Sequence, residues 1–378
     1  MLKKSRKLAD GMRKLFYFNV IGETGESLAL YCCCGIYREF IVFNTTFPML
    51  ISKRQYKNRA FAAWAGLMVG DALGAPAEFC YREDISNAYP NGLCEMVPGF
   101  GICTDRLAGE VTDDTQMAYC LHLALQDANG WSREAAFKRY REWLATDPPD
   151  IGEATYAALT GTPNPESQGN GALMRVMPIA LWAASHPDFD WQTAAREDAV
   201  ITHPNPVCAD ANVVFVHAML TAMQPGAKAM DIYQSALDYA LQNKISQNVV
   251  DAIVHSDQRP DYDGEHIGWV LIALQSAFYQ LQRAGSFYDA LVDIVSAGGD
   301  TDTNAAIAGA LLGAWKGLNH IPRPWLAAVH AANSECYTSL LPAPEAVPAY
   351  PRAFYKEKPQ KVAHRRLSGV APVSGFLD

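Results

Sequence analysis

The sequence predicts an all-α body from Ala60 onward, and two observations predict it. Apolar segments with helical spacing recur at Ala60–Leu73, Met117–Leu125, Leu173–Ala184, Ala211–Met223, Gly268–Leu281, Tyr288–Val295 and Asn304–Trp315. Strong helix formers fill these segments, while Pro and Gly fall mostly between them. Several are apolar all round, as expected of helices buried on more than one side. Composition agrees: 49% hydrophobic and 19% charged residues describe a globular chain with material for a large core. The 378 residues are length for roughly two domains.

Upstream of this body the texture differs. Residues 1–59 hold eleven Lys and Arg against four acids, so they carry +7, and by difference from the total of −9 the remainder carries −16. Such a basic leader is expected to be a poorly ordered terminus, a few strands packed in the ordinary way on the body, or a docking element for an acidic partner surface. Leu28–Cys34 and Glu39–Thr46 are rich in β-branched and aromatic residues and are expected to form two short strands around Gly35. The domain plan is therefore a leader at 1–59, a body at 60–341, and a Pro-rich then basic tail at 342–378. No uncharged apolar run approaches the ~18 residues of a membrane span. The acidic balance argues against nucleic acid as a partner. Nine scattered Cys form no CxxC pair, which disfavours thiolate zinc and suggests a reducing, cytoplasmic setting.

The chemistry concentrates where helices begin. Gly109-Glu110-Val111-Thr112-Asp113-Asp114-Thr115-Gln116 and Gly298-Gly299-Asp300-Thr301-Asp302-Thr303-Asn304 each lead into an apolar helix. Helix capping explains one acid in each cluster. It does not explain Asp113 beside Asp114, or Asp300 with Asp302, since like charges beside a buried helix are costly without compensation. Neither cluster contains Lys or Arg. Carboxylate and hydroxyl oxygens suit Mg²⁺ or Mn²⁺, the spacing is not that of a calcium loop, and the lack of His disfavours zinc. Capping and metal binding both remain open on pattern alone.

Three further segments stand out. Gly66–Phe79 (GLMVGDALGAPAEF) is a Gly-punctuated helix ending at a proline, whose glycines suit close helix packing. Gly169–Arg175 (GNGALMR) is a small-residue loop entering a helix, where backbone amides suit a phosphate. Thr202-His203-Pro204-Asn205-Pro206 holds a histidine in a rigid loop.

These segments, with PDIGEATYAAL at 149–159, occur together and in order, and so the chain resembles the ADP-ribosylglycohydrolases, of the kind that reactivates ADP-ribosylated dinitrogenase reductase. The likeness spans about Ala60 to Trp325. It implies a compact orthogonal multi-helix domain with two divalent cations, Mg²⁺ or Mn²⁺, in a cleft. It implies that Thr112, Asp113, Asp114, Asp300, Asp302, Thr303 and Glu78 hold them. It further implies that Asp150, with Glu78 and Asp113, serves catalysis, although Asp147 and Glu153 lie close to Asp150. Asn170, Gly171, Ala172, Gly299 and His203 would line the ADP-ribose site; Ala172 stands where relatives often carry Gly or Ser.

The reaction so implied is hydrolysis of the bond between ribose C1″ and a side-chain nitrogen, most simply of ADP-ribosylarginine. Positive charge builds on the sugar, as in other glycoside cleavages, and carboxylates offset it and move protons. Cations would grip the ribose hydroxyls and acidify a water. Alternatives are a serine-linked or O-acetyl-ADP-ribose substrate, a binding or inhibitory protein whose residues 1–59 occlude a transferase, and a purely structural relative. Some bacterial members act as immunity proteins against ADP-ribosyltransferase toxins, so the expected partners are an ADP-ribosylated protein and such a toxin.

Overall fold

Ser52 opens the first helix. Its hydroxyl accepts from the amide of Gln55, whose side chain accepts from the Ser52 amide in return, and the helix then runs from Lys53 to Gly74. The computed structural model describes residues 52–99, 106–283 and 285–333. The strands expected at Leu28–Cys34 and Glu39–Thr46, and the tail after Leu341, lie outside them.

Fourteen α-helices are found among the described residues. They are α1 (Lys53–Gly74), α2 (Arg82–Ala88), α3 (Asp113–Ala128), α4 (Arg133–Leu144), α5 (Glu153–Leu159), α6 (Met177–Ser185) and α7 (Trp191–Thr202). Then follow α8 (Pro206–Ala222), α9 (Ala229–Gln242), α10 (Gln247–Val254), α11 (Val270–Arg283), α12 (Phe287–Val295), α13 (Thr301–Lys316) and α14 (Arg323–Ala332). No strand is named among these residues; two isolated backbone bridges, Cys80 with Gly299 and Gly169 with Trp269, are the extended pairings.

Three helices form the centre. α8 is buried along almost its whole length, as is α13 from Thr301 to Ala314, and α1 from Ala62 to Leu73. The stretch Arg54–Ala77 is long and apolar enough, by length and composition, to cross a membrane, but 89% of the relevant window is buried inside the protein. Its apolar surface is therefore consumed by the core.

α1 and α13 meet backbone to backbone. A Cβ placed on Gly66 would lie 2.0 Å from the carbonyl oxygen of Gly309, and one on Gly309 would lie 2.2 Å from that of Gly66. The same holds at Gly70 against Ala305 (2.1 Å) and Gly313 against Ala62 (2.1 Å). The glycines read from the sequence as packing residues thus have that role, and their partners are the small residues of the GGDTDTNAAIAGALLGAWKG stretch.

Two helix boundaries differ from the apolar pattern for physical reasons. α3 and α13 begin at Asp113 and Thr301, several residues before their apolar runs, because the polar clusters themselves form the first turns. The expected helix at Leu173–Ala184 starts only at Met177. Ahead of it, the Asn170 carbonyl accepts from the amides of Leu173 (2.7 Å) and Met174 (3.0 Å), and Arg175 turns wholly inward.

The seam predicts that Gly66→Ala costs about 1–3 kcal/mol of stability by overpacking. Gly285→Ala, at a position with nothing within 4 Å, stays within about 0.5 kcal/mol of the parent. Denaturant midpoints of the two variants check this.

Candidate active site

The last turn of α1 organises the site. Asp71, fully buried, accepts from the amide of Thr112 (3.0 Å), the amide of Thr115 (3.1 Å) and the hydroxyl of Thr115 (2.5 Å). This fixes the start of α3 against α1. Gly74 accepts from the Thr301 hydroxyl (2.8 Å), which fixes the start of α13 to the same turn. The chain then passes through the 3-10 turn Ala75–Ala77 to Glu78. Beyond it Gly299 clips on: its carbonyl accepts from the Phe79 amide (2.8 Å), and its amide donates to Cys80 (3.0 Å). Gly299 has φ +76°, and a Cβ there would stand 1.8 Å from the Tyr262 carbonyl, so no other residue fits.

Capping uses little of the acidic clusters. At α3 the cap is the Thr112 hydroxyl, which accepts from the Asp114 amide (3.3 Å). At α13 the N-cap residue is Asp300, yet its carboxylate caps nothing and instead accepts from the Asn170 side-chain amide (2.7 Å). Asp113, Asp114, Asp300 and Asp302 are all buried, the last to 1% exposure. The Thr303 hydroxyl donates to Asp114 across the gap between the helices (3.2 Å). Oxygens of Glu78, Asp150 and Asp302 all lie within 4.8 Å of one another.

So many carboxyls in one place, most of them buried, repel. Burial, then Asp302, Asp71, Asp113 and Asp300, push the Asp114 carboxyl well above its ordinary range. Asp302 is raised by burial and by Glu78, Asp300, Asp71 and Asp150, and Asp113 by burial and by Asp150, Asp71 and Asp300. Asp71 is raised to about 6, mainly by burial. Among the described residues, Arg106 answers them. Arg106 pairs with Asp150; burial pulls its basicity down, but Asp150, Asp302, Glu78 and Asp71 together push it above the usual value.

The sequence-predicted ligands Thr112, Asp113, Asp114, Asp300, Asp302, Thr303 and Glu78 therefore come together at one place, with Asp150 beside them. Divalent cations fit this place: Asp114 Oδ1 and Asp300 Oδ1 are buried oxygens with no hydrogen-bond partner among the described residues, and the donors are hard oxygens. Asn170 adjoins through Asp300. Gly171 lies under the ring of His203: a Cβ on it would meet the ring carbon Cε1 at 2.9 Å. Ala172 sits differently. Its methyl packs on Ala199 and Ala209 in the interior and its carbonyl accepts from Asn212 (3.2 Å), so its side chain faces away from the site. Gly299 contributes a backbone clip.

Pattern reading missed Asp71, Arg106 and Thr115. Asp71 left a signal, as the single charge between Ala60 and Ala77. Arg106 left none, since it reaches the cluster from a loop that is distant in sequence from Asp150 and Asp302.

The ADP-ribosylglycohydrolase family model matches residues 52–355. The chain belongs to the ADP-ribosylglycohydrolase family. It is a glycohydrolase of the class that reverses ADP-ribosylation. ADP-ribosyl-(dinitrogen reductase) glycohydrolase of Rhodospirillum rubrum is 29% identical over 281 residues, 71% of this chain and 89% of that protein. ADP-ribosylarginine hydrolase Tri1 of Serratia proteamaculans is 26% identical, over 74% of this chain and 77% of its own length. ADP-ribosylhydrolase ARH3 of Homo sapiens is 25% identical, over 69% and 86% respectively. A solved structure titled ADP-ribosylglycohydrolase-related protein complex superposes with a TM-score of 0.65 at 28% identity, covering 76% of this chain and 96% of that one.

The raised carboxyls give a pH dependence with a definite sign. Because the carboxyls of Asp113, Asp114 and Asp302 are raised above the ordinary range, protons they still hold must leave when a cation takes the site, so binding releases protons and strengthens as pH rises. Without metal, the cluster's own contribution to stability is greatest below the ordinary carboxylate range and is lost as pH rises through the elevated folded values. Calorimetric Mn²⁺ titrations in buffers of different ionisation enthalpy check the first point: net proton release at pH 6 is expected, and no proton exchange between pH 6 and 8 contradicts it.

Proposed function

We propose that this chain is a divalent-cation-dependent hydrolase that removes ADP-ribose from arginine side chains of modified proteins. The observation that carries the reading is the meeting of the half-buried Glu78 and Asp150 with the buried Asp302 at the starts of α3 and α13, where hard oxygen donors outnumber counter-charges. Two cations, Mg²⁺ or Mn²⁺, would be held by Thr112, Asp113, Asp114, Asp300, Asp302, Thr303 and Glu78. Bound there, they would supply Lewis-acid polarisation of ribose hydroxyls and of water. Asn170, Gly171 and His203 would take the ADP-ribose moiety, with the Gly169–Gly171 backbone facing its phosphates.

Asp150 is the proposed proton carrier at the leaving group. It already pairs with a guanidinium, that of Arg106, which is the chemistry of an arginine leaving group. In the reaction the C1″–N bond breaks with its electron pair on the guanidine nitrogen, which takes a proton. Water adds its oxygen to C1″ and gives a proton to a carboxylate. Asp113 and Glu78 lie beside Asp150 and stabilise the positive ribose. Arginine is favoured over serine by this pairing and by the relative named as an arginine hydrolase. The four free cysteines among the described residues, Cys80, Cys94, Cys120 and Cys208, suit a reducing, cytoplasmic setting.

A second reading concerns the +7 segment. Its charge opposes the −16 of the rest, and it is proposed to dock on an acidic transferase surface, as an immunity protein's would. Deleting residues 1–51 keeps the Ser52 cap of α1. This deletion removes +3 of the +7 and leaves Lys53, Arg54, Lys57 and Arg59 on α1; transferase inhibition that survives it, without hydrolysis of the product, removes residues 1–51 from that role.

For the enzyme itself, Asp302→Ala is expected to cut turnover of ADP-ribosylarginine by more than about a hundredfold with the fold retained. Release of free ADP-ribose from ADP-ribosylarginine, ADP-ribosylserine and O-acetyl-ADP-ribose, with and without chelator, checks both metal and linkage. Full activity after exhaustive chelation contradicts the reading.

A further inference from the structure

Behind the Gly169–Gly171 loop lies a buried polar chain that the proposed reaction does not use. Arg175 is wholly buried and ion-paired with Asp198, also wholly buried, through Nε at 3.1 Å. Its Nη2 donates to the Asp198 carbonyl (2.9 Å), and its plane lies over the Tyr140 ring, 4.5 Å from the centroid. The Tyr140 hydroxyl donates to the other Asp198 oxygen (2.6 Å). The remaining nitrogen, Nη1, faces the site. It donates to the Gly171 carbonyl (3.2 Å) and to the Thr202 hydroxyl oxygen (2.7 Å). Thr202 Oγ1 in turn lies 2.9 Å from Nδ1 of His203.

Donor and acceptor roles along this chain follow from chemistry. A guanidinium only donates, so Thr202 Oγ1 accepts from Arg175. The Thr202 hydroxyl hydrogen then needs an acceptor in a place that is 1% exposed, and among the described residues the one within reach is His203 Nδ1. Were Nδ1 protonated, Thr202 would accept twice and leave its own hydrogen buried without a partner, which is costly. A doubly protonated ring meets the same objection and faces Arg175 as well; burial and Arg175 hold His203 down to about 3. The ring proton is therefore on Nε2. That nitrogen lies beside the loop, 3.2 Å from where a Cβ on Gly169 would stand and 3.3 Å from one on Gly171, with no hydrogen bond to a described residue.

We propose that Arg175 and Thr202 are positioning residues that lock His203 as the Nε2–H tautomer, so that the Gly169–Gly171 loop meets its ligand with a neutral hydrogen-bond donor. A phosphate or hydroxyl oxygen is the matching acceptor. The same guanidinium draws the Gly171 carbonyl inward, so one buried side chain sets both the loop and the ring. The inference rests on the reading that this loop takes ADP-ribose, but its first test does not.

The experiment uses the full chain with ¹⁵N-labelled histidine, the His203 signals assigned with His203→Gln. Expected are an unprotonated Nδ1 and a protonated Nε2 that persist from pH 6 to 8. Thr202→Val removes the relay at nearly constant volume and is expected to give a mixture of tautomers. It should also weaken ADP-ribose binding about tenfold, the worth of one hydrogen bond, and raise KM similarly with kcat within about twofold. Thr202→Ser restores the single tautomer and the affinity. A protonated Nδ1 in the parent, or a Thr202→Val protein that keeps Nε2–H alone, overturns the proposal. Unchanged ADP-ribose binding in His203→Gln would instead overturn the assignment of the loop to ADP-ribose, since the ring resonances report the tautomer independently of any ligand.

Discussion

Everything at the acidic centre depends on one contact, the backbone-to-backbone approach of α1 and α13 through Gly66, Gly70, Gly309 and Gly313. Because no side chain separates the two helices there, their ends are held at fixed height. The last turn of α1 can then do three things together. Asp71 grips the first turn of α3, the Gly74 carbonyl takes the Thr301 hydroxyl, and the segment after Glu78 is clipped to Gly299. Residues more than two hundred positions apart are thereby placed within hydrogen-bond distance.

This arrangement answers a problem set by electrostatics. Burying several carboxylates together is unfavourable, and proteins tolerate it where something else supplies the missing positive charge. Here the packing seam and the Asp71 clamp hold the acids together, and only Arg106 among the described residues opposes them directly. The unsatisfied Asp114 and Asp300 oxygens and the raised carboxyls are the residue of that imbalance. Stability given up at the helix starts is what, in the proposed reading, would give a hard cation its place in the site.

Much of this was legible in the sequence because chemistry and helix starts coincide. The clusters at Thr112–Asp114 and Asp300–Thr303 announced themselves by an excess of acid over what capping needs, and Asp300 indeed caps nothing. The glycines of α1 were legible as packing residues, but their partner was not, since a seam between positions 66 and 309 is a property of the fold. Helices with strongly charged faces, such as α4 (REAAFKRYREWL), escaped a reading that followed apolar runs. Arg106 and the Arg175–Asp198 pair were hidden for a different reason: a buried ion pair has no local signature, and its two halves here lie in separate segments. Ala172 shows the converse, a position next to the site in sequence whose methyl belongs to the core.

The most direct measurement is a crystal structure of the protein soaked in Mn²⁺, with the ions placed by anomalous scattering. The account predicts strong peaks among Glu78, Asp113, Asp114, Asp300 and Asp302, with Asp71 still bonded to Thr112 and Thr115. No peak at this position under saturating Mn²⁺, with Arg106 still neutralising Asp150 and the aspartates unchanged, would contradict it.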